Sequence, residues 1–506
     1  MPKYKPVIGL EIHVELNTKT KMFCDSANDA NETNPNTNVC PVCMAHPGTL
    51  PVINIEAVHK VIKTGLALET KINEFSWFER KNYFYPDIPK GYQISQFEKP
   101  FCEDGVLKLS SGKEIKIKRI HLEEDTGKLI HETQNIKHKT QDQDVSGSMF
   151  HASSYVDFNR AGVPLMELVT EPNIETGVEA KEFGEEFQLL LRYLNVSEAD
   201  MEKGQLRIEA NISIMTEESS KFGTKVEIKN LNSFRACERA IDYEIKRQAE
   251  VLDSGEKVAQ ETRGWNENEG LSFVQREKEE SHDYRYFPEP DLPPVRLDKA
   301  QIEFIKQEIP ELPASRRVRF TKEYSITEKD AEVFTVKKEL GDFFEKVVTE
   351  LETWLKDQYI TDEVNHKEII KLAANYLITE IQKLLAESKT KVSSLLITPE
   401  DFAELITYIH EGMTSSSIAQ EIIRIMFDTG QDPHQIIEDR MLHQISDRGE
   451  LKKAAQDVIM ANPKPVEDYK KGKVESIKFL VGQLMKATKG KANPQMGEEI
   501  LRELLK

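Results

Sequence analysis

The amino-acid sequence predicts an α+β protein, with strands concentrated in the first ~290 residues and helices after them. Three observations predict this. Polar and apolar residues alternate with period two in several early segments, the mark of half-buried strands. The stretch from Tyr284 to Pro294 contains four prolines, which stop regular structure. Beyond it, residues 338–354, 367–386 and 399–409 carry apolar side chains at three- and four-residue spacing, as amphipathic helices do.

A chain of 506 residues is too long for one compact core. The composition breaks predict a first domain over 1–294, a helical domain over 295–433 and a smaller helical tail over 434–506. The second boundary rests on the turn-rich stretch from Asp428 to Pro433. Within the helical domain, Thr398 reads as an N-cap ahead of Pro399 at the first helical position. Five cysteines do not make a disulfide scaffold in a chain of this length, which favours a reducing compartment. No segment reaches the ~18 consecutive apolar residues of a membrane span, and no signal-peptide core precedes the first strand. The expected location is cytoplasmic, with no membrane partner. The net charge of −19 excludes a generally basic surface for nucleic acid. Residues 464–491 are the local exception: eight lysines stand against Glu467, Asp468 and Glu475, a net charge of +5.

The strands are most informative on their polar sides. Along residues 7–16, Leu10, Ile12, Val14 and Leu16 share one face, and Glu11, His13 and Glu15 share the other. In residues 205–214, Arg207, Glu209, Asn211 and Ser213 oppose an unbroken apolar row. In 224–230, Lys225, Glu227 and Lys229 oppose Val226 and Ile228. In 155–159, Tyr155, Asp157 and Asn159 oppose Val156 and Phe158, and the segment 120–127 adds Glu123 and Glu124 before a turn. If these strands share one sheet, its open face collects carboxylates, a histidine and several basic groups. Clustered carboxylates repel unless a cation lies between them. Mg²⁺ takes oxygen ligands and bridges carboxylates to phosphates, and Arg and Lys hold phosphate oxygens. The pattern therefore predicts a Mg-nucleotide site on a sheet. A charged solvent face is the simpler reading for any one strand. No Walker-type loop, kinase-type glycine loop or amidase-type Ser-Lys nucleophile motif accompanies it.

Cys24, Cys40 and Cys43 form an upstream Cys followed by Cys-x-x-Cys, a spacing used for structural zinc. Ser26 stands where a fourth cysteine would complete the set, with Asp25 or His46 as substitutes. The alternative is a metal-free loop of thiols. Cys102 and Cys237 are isolated and read as packing residues.

Longer motifs carry a resemblance. They are Val7-Ile-Gly-Leu-Glu-Ile-His-Val-Glu-Leu16, Arg80-Lys-Asn-Tyr-Phe-Tyr-Pro-Asp87, Gly91-Tyr-Gln-Ile-Ser-Gln96 and His121-Leu-Glu-Glu-Asp-Thr-Gly-Lys128. Asp157-Phe-Asn-Arg-Ala-Gly-Val-Pro-Leu-Met-Glu167, residues 222–234, residues 283–290 and residues 479–494 follow. In this order, over essentially the whole chain, they resemble the B subunits of aspartyl/glutamyl-tRNA amidotransferases. The resemblance implies a cradle domain with a mainly antiparallel β-sheet, an all-α helical domain, and a small tail similar to the YqeY family. It implies a heterotrimer with an amidase (the A subunit) and a small C subunit, and misacylated tRNA as substrate: Glu-tRNA(Gln), Asp-tRNA(Asn) or both. It implies an ATP-dependent carbon–nitrogen ligase with glutamine as the amide-nitrogen donor.

By the same resemblance, Glu11, His13, Glu124 and Glu209 are the expected catalytic residues, and with Glu123 they form the expected Mg²⁺ set. Lys81, Arg160, Arg207 and Lys229 are expected at ATP phosphates from their charge and placement. Relatives that hold zinc carry Cys-x-Cys upstream, whereas this chain has Cys24-Asp-Ser26; other relatives lack the cysteines, so catalysis is not expected to need zinc. Residue patterning alone also admits a metal-dependent hydrolase acting without ATP, or an RNA-binding scaffold with a structural acidic face.

Overall fold

The computed structural model describes residues 4–136, 149–216, 219, 221–277, 284–357, 363–440, 447–488 and 491–505. Asp283 of the motif above and Lys489 of the basic tail lie outside the described residues. The chain forms two compact units, Met1–Leu312 and Pro313–Lys506.

The first unit is built on β1 (Tyr4–Glu15), which lies between β10 (Pro164–Thr170) and β11 (Leu206–Thr216), antiparallel to both. Outward from β10 come β7 (Glu114–Glu124), β6 (Cys102–Lys108) and β2 (Lys71–Ile72). Outward from β11 come β12 (Val226–Leu231), β13 (Glu261–Asn266) and β14 (Leu271–Glu277), completing nine strands. Among the described residues only β12 and β13 pair in parallel, and helix α3 (Phe234–Asp253) supplies the crossover that a parallel pair needs.

The pleat decides which side is covered. Ile8, Leu10, Ile12 and Val14 are buried with Met166, Leu168, Ile208, Ala210 and Ile212. They pack against Val58, Val61 and Ile62 of α1 (Ile55–Ala67), Phe183 and Phe187 of α2 (Gly177–Tyr193), and Ile241 of α3. Glu11, His13 and Glu15 take the opposite side, as alternation requires. Each helix starts on a side-chain cap: Asn54 for α1, Thr176 for α2 and Ser233 for α3.

Smaller sheets surround this frame. β4 (Glu79–Asn82) lies between β5 (Tyr92–Ser95) and β15 (Phe287–Pro288), and β3 (Phe75–Ser76) pairs with β16 (Val295–Arg296). β8 (Lys128–Ile136) and β9 (Met149–Asp157) form a separate hairpin. Tyr155 and Asp157 are thus not part of the large sheet as the alternation suggested. Period two identifies a strand but not its partner.

The first unit also runs beyond the proline break at Pro294. After β16, Leu297, Ile302, Ile305, Ile309 and Leu312 pack on its core, and α4 (Lys299–Gln307) lies against α1. Pro288 pairs within β15, and Pro290, Pro293 and Pro294 interrupt regular structure without ending the unit.

The second unit is helical and contains two separate apolar clusters. One spans Phe320 to Ile437 and includes the predicted helices Lys338–Asp357 and Pro399–His410, the latter capped by Thr398. The other spans Leu451 to Leu505. The helix Pro433–Asp439, expected in the tail, buries Ile436 and Ile437 in the first cluster instead. Among the described residues no helix is long and apolar enough to cross a membrane.

Ile12 sits at the centre of the first unit and is fully buried. Ile12→Ala should lower unfolding free energy by about 2–5 kcal/mol, read as a lower urea midpoint at unchanged slope.

Candidate functional site

The register of the large sheet brings its charged side chains into rows. His13 lies opposite Glu167 on β10 and Arg207 on β11, and Glu167 lies opposite His121 on β7. Ligand atoms of His13, Glu123 and Glu167 all fall within 4.8 Å of one another. His13 Nε2 is 3.6 Å from Glu167 and 3.8 Å from Glu123. His121 Nε2 is 3.1 Å from Glu167 and 3.6 Å from Glu123, and its Nδ1 is buried without a hydrogen-bond partner. Ser95 on β5 donates to Glu123 at 2.9 Å.

The electrostatics follow from this packing. Burial alone would lower His13, but Glu167, Glu123 and Glu209 together raise it to about 9. Burial alone would raise Glu167, but His121 and His13 hold it well below the usual carboxylate range. Glu123 is lowered in the same way by His121 and Lys81, against its burial. One imidazole nitrogen and two carboxylates converging in this way suit a divalent cation, and the oxygen donors suit Mg²⁺. A cation here would take the place of the His13 proton.

A second group, Glu11, Glu209 and Glu227, meets within the same distance on β1, β11 and β12. Here one lysine offsets part of the charge. Lys229 Nζ is 2.8 Å from Glu209 and 3.4 Å from Glu227, and Asn211 donates to Glu11 at 2.9 Å. Burial first, and then Glu167, Glu209 and Glu227, raise Glu11. A register shift between Ile208 and Ala210 puts an extra residue into β12 beside Lys229. Bulges re-aim side chains in this way beside functional sites.

The structure thus divides the predicted metal set. His13 and Glu123 come together with Glu167, while Glu11 and Glu209 form the lysine-filled group. Glu124 joins neither. It follows Glu123 directly and points to the other side of the strand, where it accepts from Lys90 Nζ at 2.6 Å and from the Ile94 amide at 3.0 Å.

The predicted phosphate contacts also separate. Lys81 on β4 is drawn to Glu123 and Glu167, which raise its pKa against burial. Lys229 neutralises Glu209. Arg207 pairs with buried Asp125. Arg160 donates to the Thr126 and Gly127 carbonyls at 3.0 and 2.9 Å and lies 3.6 Å from Asp125. The turn that places Arg160 passes through Gly162 at φ +87°, a conformation open to glycine. Glu15, beside Asp125, is raised to about 8 by burial and by that neighbouring carboxylate.

His121 and Glu167 were not singled out from the sequence, although both stand in its motifs. Strand parity would have found them: His121 and Glu123 share a face that excludes Glu124, and Glu167 alternates with Met166 and Leu168.

The sulfurs of Cys24, Cys40 and Cys43 gather within 4.8 Å, and among the described residues no fourth Cys, His, Asp or Glu joins them. Neither Asp25 nor His46 completes the set. Fully buried Lys21 instead donates to Cys43 Sγ at 3.7 Å and to the Phe158 carbonyl at 3.2 Å. Cys43 is lowered to about 4 by hydrogen bonds from Cys24 and the Cys40 amide and by Lys21.

The GatB/GatE catalytic domain family matches residues 6–303, and the GatB domain family matches residues 358–505. The chain is 46% identical over 507 residues to the aspartyl/glutamyl-tRNA(Asn/Gln) amidotransferase B subunit of Persephonella marina, covering 100% of both chains. It is 44% identical to the protein of that name from Caldanaerobacter subterraneus subsp. tengcongensis, over 99% of each. The B subunit of Thermotoga maritima is 45% identical, also over 99% of each.

The split between Glu123 and Glu124 can be tested with Mn²⁺ as a paramagnetic probe. Glu167→Gln should weaken Mn²⁺ binding by roughly 10-fold or more, and Glu124→Gln should leave it unchanged. Equal losses in both variants would place the cation on the other side of the strand.

Proposed function

The chain belongs to the family of aspartyl/glutamyl-tRNA(Asn/Gln) amidotransferase B subunits, and from that premise we propose that its large sheet carries the ATP-dependent step of tRNA amidation. As a member of that family it is part of a carbon–nitrogen ligase that serves translation. The observation that supports the proposed step best is the meeting of His13, Glu123 and Glu167 on the polar face of the large sheet, with the charge of Lys81 coupled to both carboxylates.

The chemistry sets the requirements. A carboxylate is a poor electrophile, so ammonia does not displace its oxygen at a useful rate. Transfer of the ATP γ-phosphoryl group to the side-chain carboxylate of tRNA-bound Glu or Asp gives an acyl phosphate and ADP. Ammonia then attacks the acyl carbon, phosphate leaves, and the side-chain amide forms with loss of a proton. Mg²⁺ held by His13, Glu123 and Glu167 would offset charge on the transferred phosphoryl group.

The chain's own residues supply the rest. Lys81 places a fixed ammonium beside the carboxylates, where a developing negative charge is stabilised. Arg160 and Arg207 hold Asp125 and keep the turn after β7 in place. The buried floor of the site restricts water, which would otherwise hydrolyse the acyl phosphate. Ammonia comes from glutamine through the amidase, the A subunit, and a small C subunit completes the assembly. The work takes place in the cytoplasm, in keeping with five free cysteines. Zinc at Cys24, Cys40 and Cys43 would tie their loop together and take no part in catalysis.

The test uses the chain assembled with both partners, Mg-ATP, ammonium and Glu-tRNA(Gln), and then Asp-tRNA(Asn). ADP and amidated tRNA should appear in equal amounts. His13→Ala should abolish both while glutaminase activity of the partner survives. Turnover without ATP would favour the hydrolase instead, and binding of tRNA without any product would favour the scaffold.

The basic tail makes a separate prediction. Neutralising Lys486, Lys489 and Lys491 should weaken tRNA binding and flatten its dependence on salt, by up to roughly one slope unit for each phosphate no longer neutralised. An unchanged slope would remove the tail from the tRNA interface.

A further inference from the structure

Two motifs rich in aromatic and basic residues, 80–87 and 283–290, still lack a task. Their sequence separation hides their proximity. β15 pairs with β4, the Asn82 amide donates to the Tyr284 carbonyl at 3.0 Å, and the Asn82 side chain donates to the Arg285 carbonyl, 203 residues away, at 2.9 Å.

The pairing builds a ladder of rings. Tyr83 meets Tyr284 edge to face at 6.0 Å between centroids, and Tyr284 meets Tyr286 in the same manner at 6.1 Å. Tyr286 then stacks on Phe97 at 4.4 Å with the ring planes 11° apart. Lys81 Nζ stands 5.1 Å from the Tyr284 centroid, and the same ammonium is drawn to Glu123 and Glu167. The end of the ladder at Tyr83 lies 6.0 Å from the same ammonium. The other ends at Phe97, which is 48% exposed, with the Arg119 guanidinium 5.9 Å from its ring.

Tyr83, Tyr284 and Tyr286 are half-buried against one another, and Phe97 is the exposed ring of the four. Phe84, Tyr85 and Phe287, from the same two motifs, are also exposed. Open aromatic faces interleaved with Lys and Arg are what unpaired nucleic-acid bases stack on. Several rings in sequence along a partly exposed edge suit consecutive bases of a strand, whereas a nucleoside triphosphate brings only one.

We propose that Tyr83, Tyr284, Tyr286 and Phe97 form a stacking platform for the unpaired 3′-terminal bases of the RNA substrate, with Lys81 meeting the terminal phosphate. This rests on the tRNA reading above. It adds a physical route by which the aminoacylated end reaches His13, Glu123 and Glu167.

The experiment uses the assembled complex, after the wild type has been shown to amidate; failure at that stage would count against the tRNA reading itself. Unacylated tRNA, intact or lacking its 3′-terminal nucleotide, is the binding probe, and KM for Mg-ATP is measured in parallel. Wild type should bind intact tRNA more tightly than truncated tRNA. Phe97→Leu and Tyr286→Leu should raise Kd for intact tRNA by roughly 5- to 100-fold, the span of base–aromatic stacking. They should change Kd for truncated tRNA little and leave KM for Mg-ATP within about twofold. Phe97→Trp should restore the preference for the intact end. A rise in KM for Mg-ATP with tRNA affinity kept would overturn the proposal and give the platform to the nucleotide. Equal binding of both tRNAs by wild type, or an equal loss on both in the variants, would overturn it as well.

Discussion

A buried carboxylate around β1 either meets a positive charge or, like Glu11 and Glu15, has its pKa raised, and the architecture of the first unit follows from that constraint. Removing a charge from water costs several kcal/mol unless a partner is present, and breaking a buried pair costs about 3–5 kcal/mol. The buried carboxylates and their partners are explicit: Asp125 with Arg207, Glu124 with Lys90, and Glu289 with Arg80. They also fix the fold. Arg80 to Glu289 ties β4 to the chain beyond β15, and Lys90 to Glu124 ties the loop before β5 to the end of β7. The identity of the base then separates structure from function. Lysine and arginine are permanent cations at neutral pH. At Glu123 and Glu167 two of the compensating groups are the imidazoles of His13 and His121, and a cation bound at His13 would displace its proton to solvent. Two acidic groups of similar composition therefore differ in what they can do: one is closed by Lys229, and the other can exchange a proton for a cation.

Much of this was legible because a strand has period two. Leu10, Ile12 and Val14 against Glu11 and His13 establish β1, its covered face and its charged face without any knowledge of neighbours. The same rule, applied one residue further, separates Glu123 from Glu124. The sequence expectation took them together from the family resemblance, whereas the pleat sends them to opposite sides. Glu167 shows the complementary difficulty. Its alternation with Met166 and Leu168 was visible, but its role depends on lying opposite both His13 and His121, and register across three strands is set by tertiary pairing.

Long-range assembly accounts for the other differences. The prolines near Pro294 do stop regular structure, yet Leu297, Ile305 and Leu312 continue the first core because apolar burial does not require an unbroken helix or strand. The segment containing Tyr155 alternates like a sheet strand but closes on β8 as a hairpin. Cys24, Cys40 and Cys43 do meet, as their spacing suggested. What the spacing could not reveal is that the side chain of Lys21, three residues before Cys24, is buried against the sulfur of Cys43.

Charge distribution links these local facts to an RNA substrate. With a net charge of −19, the chain repels a polyanion over most of its surface. Such a protein binds RNA only where positive charge is concentrated or where contacts other than charge contribute. The lysines of residues 464–491 provide the first, and the aromatic ladder from Tyr83 to Phe97 provides the second. Stacking on neutral rings loses little to salt and does not require a basic field, so it can operate next to a cluster of carboxylates. An acidic catalytic face and a nucleic-acid substrate are therefore compatible: the face rejects backbone in general, and the rings beside Lys81 admit an unpaired end.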